Sequence, residues 1–204
     1  RNNCGSTQFN VVPIVPPKVT ILVYSVWVGE PLEDKKLNHK MYCDANGYEY
    51  RHFYYNRTTF NEKYTVHSGA WLSVYAAREL LASSTADYFF KMDLDCVFMR
   101  TDVRLESLLD PLQRYSFYTT NTEATSRFMQ SQSWILKNSD FSRTFVKEWL
   151  EYVHWGKCGN LAFEQGAMHH TIGTFYKNYI GSNGTAFNCP HFCKHAQFGL
   201  SFVI

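Results

Sequence analysis

No stretch of the 204-residue chain approaches the ~20 consecutive apolar residues needed to cross a bilayer. The opening RNNCGSTQFN lacks the charged-then-apolar layout of a signal peptide, so a soluble piece is expected, with any leader or anchor outside these residues. Basic residues stand singly or in pairs rather than in runs, and the formal net charge is only +2, which argues against nucleic acid as a partner. Neither GxGxxG nor GxxxxGK[ST] occurs, so dinucleotide-binding and P-loop readings lack their phosphate cradle. The cysteines, at positions 4, 43, 96, 158, 189 and 193, are too dispersed for a dense disulfide framework.

What the chain does have is core-forming material. Hydrophobic residues make up 45% and aromatics 17%, which excludes a disordered chain. At this length about 70% of the unfolded surface can be buried in one domain. Residues 1–17 end in the proline-punctuated VVPIVPPK and read as an extended lead-in, so the domain is expected over 18–204. Two N-x-S/T acceptors, Asn56–Thr58 and Asn183–Thr185, favour a secretory location over the cytoplasmic alternative.

Alternating strand and helix patterns set the fold class. VTILVYSVWV is a continuous apolar, β-branched and aromatic run, as in a strand buried on both faces. LEDKKLNHKMYCDANG predicts a helix with Leu37, Met41 and Ala45 on one stripe, ending at Gly47. YEYRHFYY reads as a strand and HSGAWLSVYAARELLASS as a helix opened by Ser68. DYFFKMD is a third strand ending at Asp93, LLDPL a turn, and YSFYTT and QSWILK two further strands, with Tyr118, Thr120 and Trp134 read as strand-core residues. SDFSRTFVKEWLEYVHWG places Phe141, Phe145, Trp149 and Tyr152 or Val153 on the packing face of a helix. The expectation is a single α/β domain with a mixed, mostly parallel sheet flanked by helices, binding ligands beyond the carboxyl ends of its strands.

The chemistry is expected at Asp93 and Asp95. Two carboxylates one residue apart, where a buried strand runs out, repel each other and call for a positive partner. A hard divalent cation, Mn²⁺ or Mg²⁺, suits two carboxylates together with diphosphate oxygens and water. The flanking Phe89, Phe90, Met92, Val97, Phe98 and Met99 predict an apolar setting for the pair rather than a solvated loop. Capping or solvated acids are the plainer alternative.

Several motifs in order carry a resemblance. LNHKMYCDANGYEY, GAWLSVYAARELL, DYFFKMDLDCVFM, SQSWILKNSDFSRTFVKEWLEYV, FEQGAM and CPHFCKHAQFG together resemble the GT-A (Rossmann-like) glycosyltransferases. The nearest likeness is to the Golgi α-galactosyl, α-mannosyl and xyloglucan α-xylosyl family, with a fainter one to the blood-group α-transferases. The resemblance implies a glycosyltransferase that moves a sugar from a nucleotide-diphosphate donor, with a UDP-sugar favoured, to a glycan or glycoconjugate hydroxyl, with retention, in the Golgi lumen. By the same likeness Asp95 would ligate the metal, Asp93 would touch metal-bound water or the ribose, and either His191 or His195 would complete the shell. Lys194 would neutralise the diphosphate, Ser25, Val26 and Trp27 would meet the base, and Glu164 or Gln165 would face the sugar ring. Asp-Gln is the family's usual pair there, so Glu164 departs from it by one methylene, and the plainer alternative is an acid at a helix N-terminus favoured by the helix dipole.

Cys189 and Cys193 are read as disulfide partners, with Cys158 a candidate mate, or as buried thiols; the alternative for the CPHFCKH cluster is zinc, though a contiguous ligand run is unlike a closed structural site. Two other functions stay open. A metal-dependent nucleotidyl- or phosphotransferase also suits D-x-D, although WVGEPLEDKK lacks the glycine- and arginine-rich loop such enzymes carry after the first strand. A non-catalytic carbohydrate-binding module would keep the fold without turnover.

Overall fold

In the computed structural model the chain is described over residues 18–64, 66, 68–110, 112–121, 129–154 and 163–180. The lead-in 1–17 and the segment 181–204, which holds Asn183, Cys189, His191, Cys193, Lys194 and His195, lie outside the described residues, as does Cys158. The elements are β1 (Ile21–Val28), α1 (Glu33–Asn46), β2 (Glu49–Tyr55), α2 (Arg57–Lys63), α3 (Leu72–Ser83), β3 (Tyr88–Met92), β4 (Phe117–Asn121), β5 (Met129–Lys137), α4 (Asp140–Leu150) and α5 (Phe163–Ile180). Short 3₁₀ turns occupy Gly69–Trp71 and Leu105–Leu108.

The strands form one sheet in the order β2-β1-β3-β5-β4. β1 pairs in parallel with both β2 and β3, and β5 pairs antiparallel with both β3 and β4. All strands but β5 therefore point the same way, which is the mixed, mostly parallel sheet expected. The carboxyl ends of β1, β2 and β3 reach one edge together, at Val28, Tyr55 and Met92.

Helices cover both faces, as strands without a solvated side require. On one face Leu22, Tyr24 and Val26 of β1 pack with Leu72, Ala76 and Leu80 of α3, Phe145 and Trp149 of α4, and Met168 and Ile172 of α5. On the other, Ile21 and Val23 meet Tyr42 and Cys43 of α1, with Phe90 and Ile135 from neighbouring strands. α4 buries the expected Phe145 and Trp149, with Phe141, Tyr152 and Val153 partly buried against the same cluster. No helix among the described residues is long and apolar enough to cross a membrane.

Two expectations change. The stripe of Leu37, Met41 and Ala45 on α1 does not face the core: Leu37 and Met41 are 55% and 59% exposed, and Ala45 is exposed. The buried face carries His39, Tyr42, Cys43 and Asn46 instead. Three of its side chains reach backbone carbonyls, the Tyr42 hydroxyl donating to Val103 at 2.6 Å, Asn46 Nδ2 to Thr101 at 2.9 Å and His39 Nε2 lying 2.9 Å from Cys96, while His39 Nδ1 is buried without a hydrogen-bond partner. The Tyr42 ring also stacks on Phe98 at 3.7 Å between centroids. Satisfied polar groups with aromatic bodies outcompete two flexible aliphatics. Gly47, at φ +74°, caps the helix in the left-handed region as expected.

The second change is two further helices. α2 begins behind Asn56, whose Oδ1 accepts from the Thr59 amide at 2.8 Å, so the first acceptor tripeptide also serves as a helix cap. α5 carries FEQGAM and buries Glu164, Ala167, Met168, Thr171 and Ile172 at three- and four-residue spacing. Neither free cysteine among the described residues, Cys43 or Cys96, is in a disulfide.

The face of α1 is testable by urea unfolding. Tyr42→Ala is expected to cost about 3–5 kcal/mol, the usual range for emptying a buried aromatic site, whereas Met41→Ala should stay within about 0.5 kcal/mol of wild type. Equal losses in the two variants would contradict the buried face described.

Candidate active site

The D-x-D segment continues the sheet for one residue and then turns. Asp93 still belongs to the ladder, its amide donating to the Gln132 carbonyl at 2.9 Å, and the Cys96 amide closes a turn on the Asp93 carbonyl at 3.0 Å. The spacer Leu94 is 1% exposed and anchors that turn in the protein. The two acids consequently differ: Asp93 is about one-third exposed along its side chain, and Asp95 is exposed. The apolar setting expected from the flanking residues continues past the pair to Phe98, which packs on the core, and ends at Met99, which is 87% exposed.

Asp93 has a positive partner supplied by the protein. Lys91, two residues earlier on β3, is 2% exposed, and its Nζ donates to Asp93 Oδ1 and to the Ser131 carbonyl at 2.6 Å. Burial raises the Asp93 pKa while the Lys91 charge and hydrogen bond pull against the rise. The Ser131 hydroxyl then donates to Glu164 Oε1 at 2.8 Å, and Trp149 Nε1 donates to the Glu164 carbonyl at 2.8 Å. A buried chain thus links β3, β5, α5 and α4 behind the carboxylates. Glu164 Oε2 is buried with no hydrogen-bond partner, and burial pushes the Glu164 carboxyl up, opposed by Ser131 and Lys91.

In front of the carboxylates lies a cavity of about 280 Å³, bordered by residues 26–28 of β1, Arg57, residues 68–70 and residues 93–95. It opens at the carboxyl ends of the parallel strands, where open α/β sheets bind ligands. Val26 and Trp27 border it together with Asp93 and Asp95. Ser25 is fully buried, its Oγ within 2.6 Å of the Tyr50 hydroxyl and 3.0 Å of His52 Nδ1. Neither Glu164, which is buried, nor Gln165, which is half-buried, borders the cavity. Tyr118 and Trp134 are core residues as read, and His191, Lys194 and His195 lie outside the described residues.

The residues present fit a hard divalent ion of the Mg²⁺ or Mn²⁺ kind. Such ions keep several waters and take one or two carboxylates plus substrate phosphates rather than a full protein cage. Among the described residues no group of three or more His, Cys, Asp and Glu is gathered for a metal. What the cavity offers is Asp95, whose one hydrogen-bond contact is the Cys96 thiol at 4.0 Å, and the Asp93 oxygen that Lys91 leaves free.

A larger cavity, about 820 Å³, opens at the opposite edge of the sheet beside residues 18–22, Tyr48 and Arg104. Three of its charges are already engaged, Arg104 with Glu106 at 2.7 Å, Glu106 also with the Tyr48 hydroxyl, and Glu49 with Arg51, and its two carboxylates are thereby taken up. The smaller cavity is the chemically equipped one.

Lys91, Ser131 and Arg57 are site residues that the sequence reading passed over. The signal for Lys91 was there: a lysine inside FFKMD, within a strand expected to be buried on both faces, is an anomaly that needs a counter-charge.

No protein-family model matches the chain, and no curated protein matches it. Among solved structures it is similar to one described as a glycosyltransferase involved in the glycosylation of the major capsid of PBCV-1. The TM-score is 0.56 with 12% identity, over 75% of this chain and 76% of that one. At that identity the likeness shows the fold: this chain is built as that glycosyltransferase is.

Two expectations follow from the buried chain. Asp93→Asn strands the Lys91 ammonium and should cost about 3 kcal/mol, the low end for breaking a buried pair because Asp93 is partly exposed, whereas Asp95→Asn should change stability by less than about 0.5 kcal/mol. Comparable unfolding midpoints for the two variants would remove Lys91 as the internal counter-ion. The second concerns Glu164, whose raised folded pKa means that its stabilising contribution is present below the ordinary carboxylate range and lost as pH rises through the folded value. The melting temperature of Glu164→Gln relative to wild type should therefore climb as pH rises from about 4, the ordinary carboxylate range, through the raised folded value. A difference independent of pH would mean that Glu164 ionises as freely in the fold as out of it.

Proposed function

We propose that the chain is a glycosyltransferase using a nucleotide-diphosphate sugar, with a UDP-sugar favoured, and a glycan or glycoconjugate hydroxyl as acceptor. The observation that carries this reading is the Asp93 and Asp95 pair in a cavity at the carboxyl ends of parallel strands, with Trp27 on its wall. The fold shared with a solved glycosyltransferase supports it.

In this reading Mn²⁺ or Mg²⁺ held at Asp93 and Asp95 supplies charge to the diphosphate as it leaves. Lys91 keeps Asp93 in one orientation, so that the ion meets a fixed oxygen rather than a mobile one. Trp27 offers an aromatic wall for the base, and Ser25 acts from behind it through Tyr50 and His52 rather than by touching the donor. Glu164 is held by the Ser131 hydroxyl, and Glu164 or Gln165 of FEQGAM would serve the sugar. His191 or His195 would close the metal shell and Lys194 would face the diphosphate. Attack with retention and a place in the secretory pathway, with the Golgi lumen favoured, belong to the same reading.

The test is a panel of UDP- and GDP-sugars with and without Mn²⁺, followed for donor hydrolysis and for transfer to glycan acceptors. One donor should be hydrolysed only with the metal, and Asp95→Asn, which keeps the fold, should lower the rate on the order of 10²–10³-fold, as loss of a positioned electrostatic group does. Binding without turnover would favour a carbohydrate-binding module, and phosphoryl or nucleotidyl transfer to an acceptor would favour the nucleotidyl- or phosphotransferase.

A further inference from the structure

The cavity beside Asp93 and Asp95 has a second charged wall. Arg57, the first residue of α2, borders it just beyond the carboxyl end of β2. Every other described arginine is engaged: Arg51 by Glu49, Arg100 by Asp102, Arg104 by Glu106, Arg114 by Asp110 and Arg143 by Asp140, while Arg78 lies over the Tyr75 ring. Arg57 alone among them has neither a carboxylate nor a ring. A guanidinium has little to gain from standing unpaired beside two carboxylates when both could relax into an ion pair, as its counterparts elsewhere on the surface do.

The backbone around Arg57 leaves room for a ligand. Gly69 lies on the same cavity wall, and a Cβ there would come within 3.0 Å of Val28 Cβ and Cγ2. The missing side chain lets the Ser68–Ala70 turn sit against Val28 at the end of β1, on the border of the cavity. A cation and two carboxylates bordering one cavity match a bound metal–diphosphate, whose metal prefers the acids and whose phosphate oxygens prefer a planar two-pronged donor.

We infer that Arg57 is the anion-binding half of this site: its guanidinium takes phosphate oxygens of a diphosphate whose metal ion sits at Asp93 and Asp95. The inference rests on the proposed donor class but requires only the diphosphate, so the two can fail separately. It makes Arg57 a binding residue for the phosphates, with no role in choosing the sugar or the acceptor.

The test is calorimetric and uses two probes, Mn²⁺ alone and inorganic pyrophosphate with Mn²⁺, on the full chain. Wild type is compared with Arg57→Gln, Arg57→Lys and the control Arg78→Gln, each first shown by thermal melting to be folded. Arg57→Gln is expected to weaken pyrophosphate binding about tenfold or more, the scale of one lost charge-assisted contact. The same variant should bind Mn²⁺ alone as tightly as wild type or more tightly, because a positive charge beside the carboxylates has gone. Arg57→Lys should fall between, keeping the charge and losing the fork, and Arg78→Gln should match wild type. Equal pyrophosphate affinity in wild type and Arg57→Gln overturns the inference. So does parallel weakening of both probes, which would mark Arg57 as merely structural, and so does a wild type that binds no pyrophosphate. Arg57-dependent pyrophosphate binding in a protein that hydrolyses no nucleotide sugar would uphold the inference and sink the glycosyltransferase reading.

Discussion

The structure at the site hangs on a single buried charge. Lys91 sits on a central strand with its ammonium out of water, a placement that costs several kcal/mol unless the charge is paired and hydrogen-bonded. Asp93 supplies the pair and the Ser131 carbonyl a second acceptor. Those partners constrain everything nearby. Asp93 must stay in the ladder beside Gln132, β5 must bring Ser131 alongside β3, and the Ser131 hydroxyl is turned to Glu164 at the start of α5. A lysine that would be a defect in an ordinary core strand therefore ties the sheet to the helical layer at the edge where chemistry is expected.

Strand direction explains why that edge is equipped. With β1, β2 and β3 parallel, three chain segments leave the sheet at one place and must turn there, which puts Trp27, Arg57 and the D-x-D turn around one space. β5 runs the other way, so its beginning rather than its end reaches this edge. That reversal brings Ser131 within reach of Lys91. In an all-parallel sheet the end of that neighbouring strand, followed by a loop, would lie there instead.

Much of this was legible because burial writes itself into composition. β1 and β3 read as buried strands from unbroken apolar runs, and α4 from aromatics at helical spacing. The D-x-D pair stood out because acids at the end of such a strand are physically expensive. α1 misled for a related reason: spacing alone ranks Leu37 and Met41 above His39 and Tyr42, yet the pleated surface selects side chains whose polar tips find the Val103 and Cys96 carbonyls. α2 hid inside a tripeptide that reads equally well as a glycan acceptor, and in α5 glycines and paired histidines blurred a period of three and four. Arg57 could not be read at all, because its meaning lies in the residues that share its cavity, a matter of topology that no local window contains.

The same topology makes the two acids unequal, which is the feature that gives the cavity its sense. Had β3 continued, residues 93 and 95 would have shared one face, two like charges with one environment. The buried Leu94 ends the strand instead and divides them. Asp93 is compensated from inside by Lys91, so the charge left uncompensated at the cavity is that of Asp95, with Arg57 on the border of the same space. Two charges of opposite sign bordering a space of about 280 Å³ leave it with little net charge. A ligand that is itself polarised, cation at one end and phosphate oxygens at the other, can enter without leaving a charge unpaired on either wall. A free cation or a free anion would satisfy only one wall, so selection for the pair arises from the placement of two side chains around one turn.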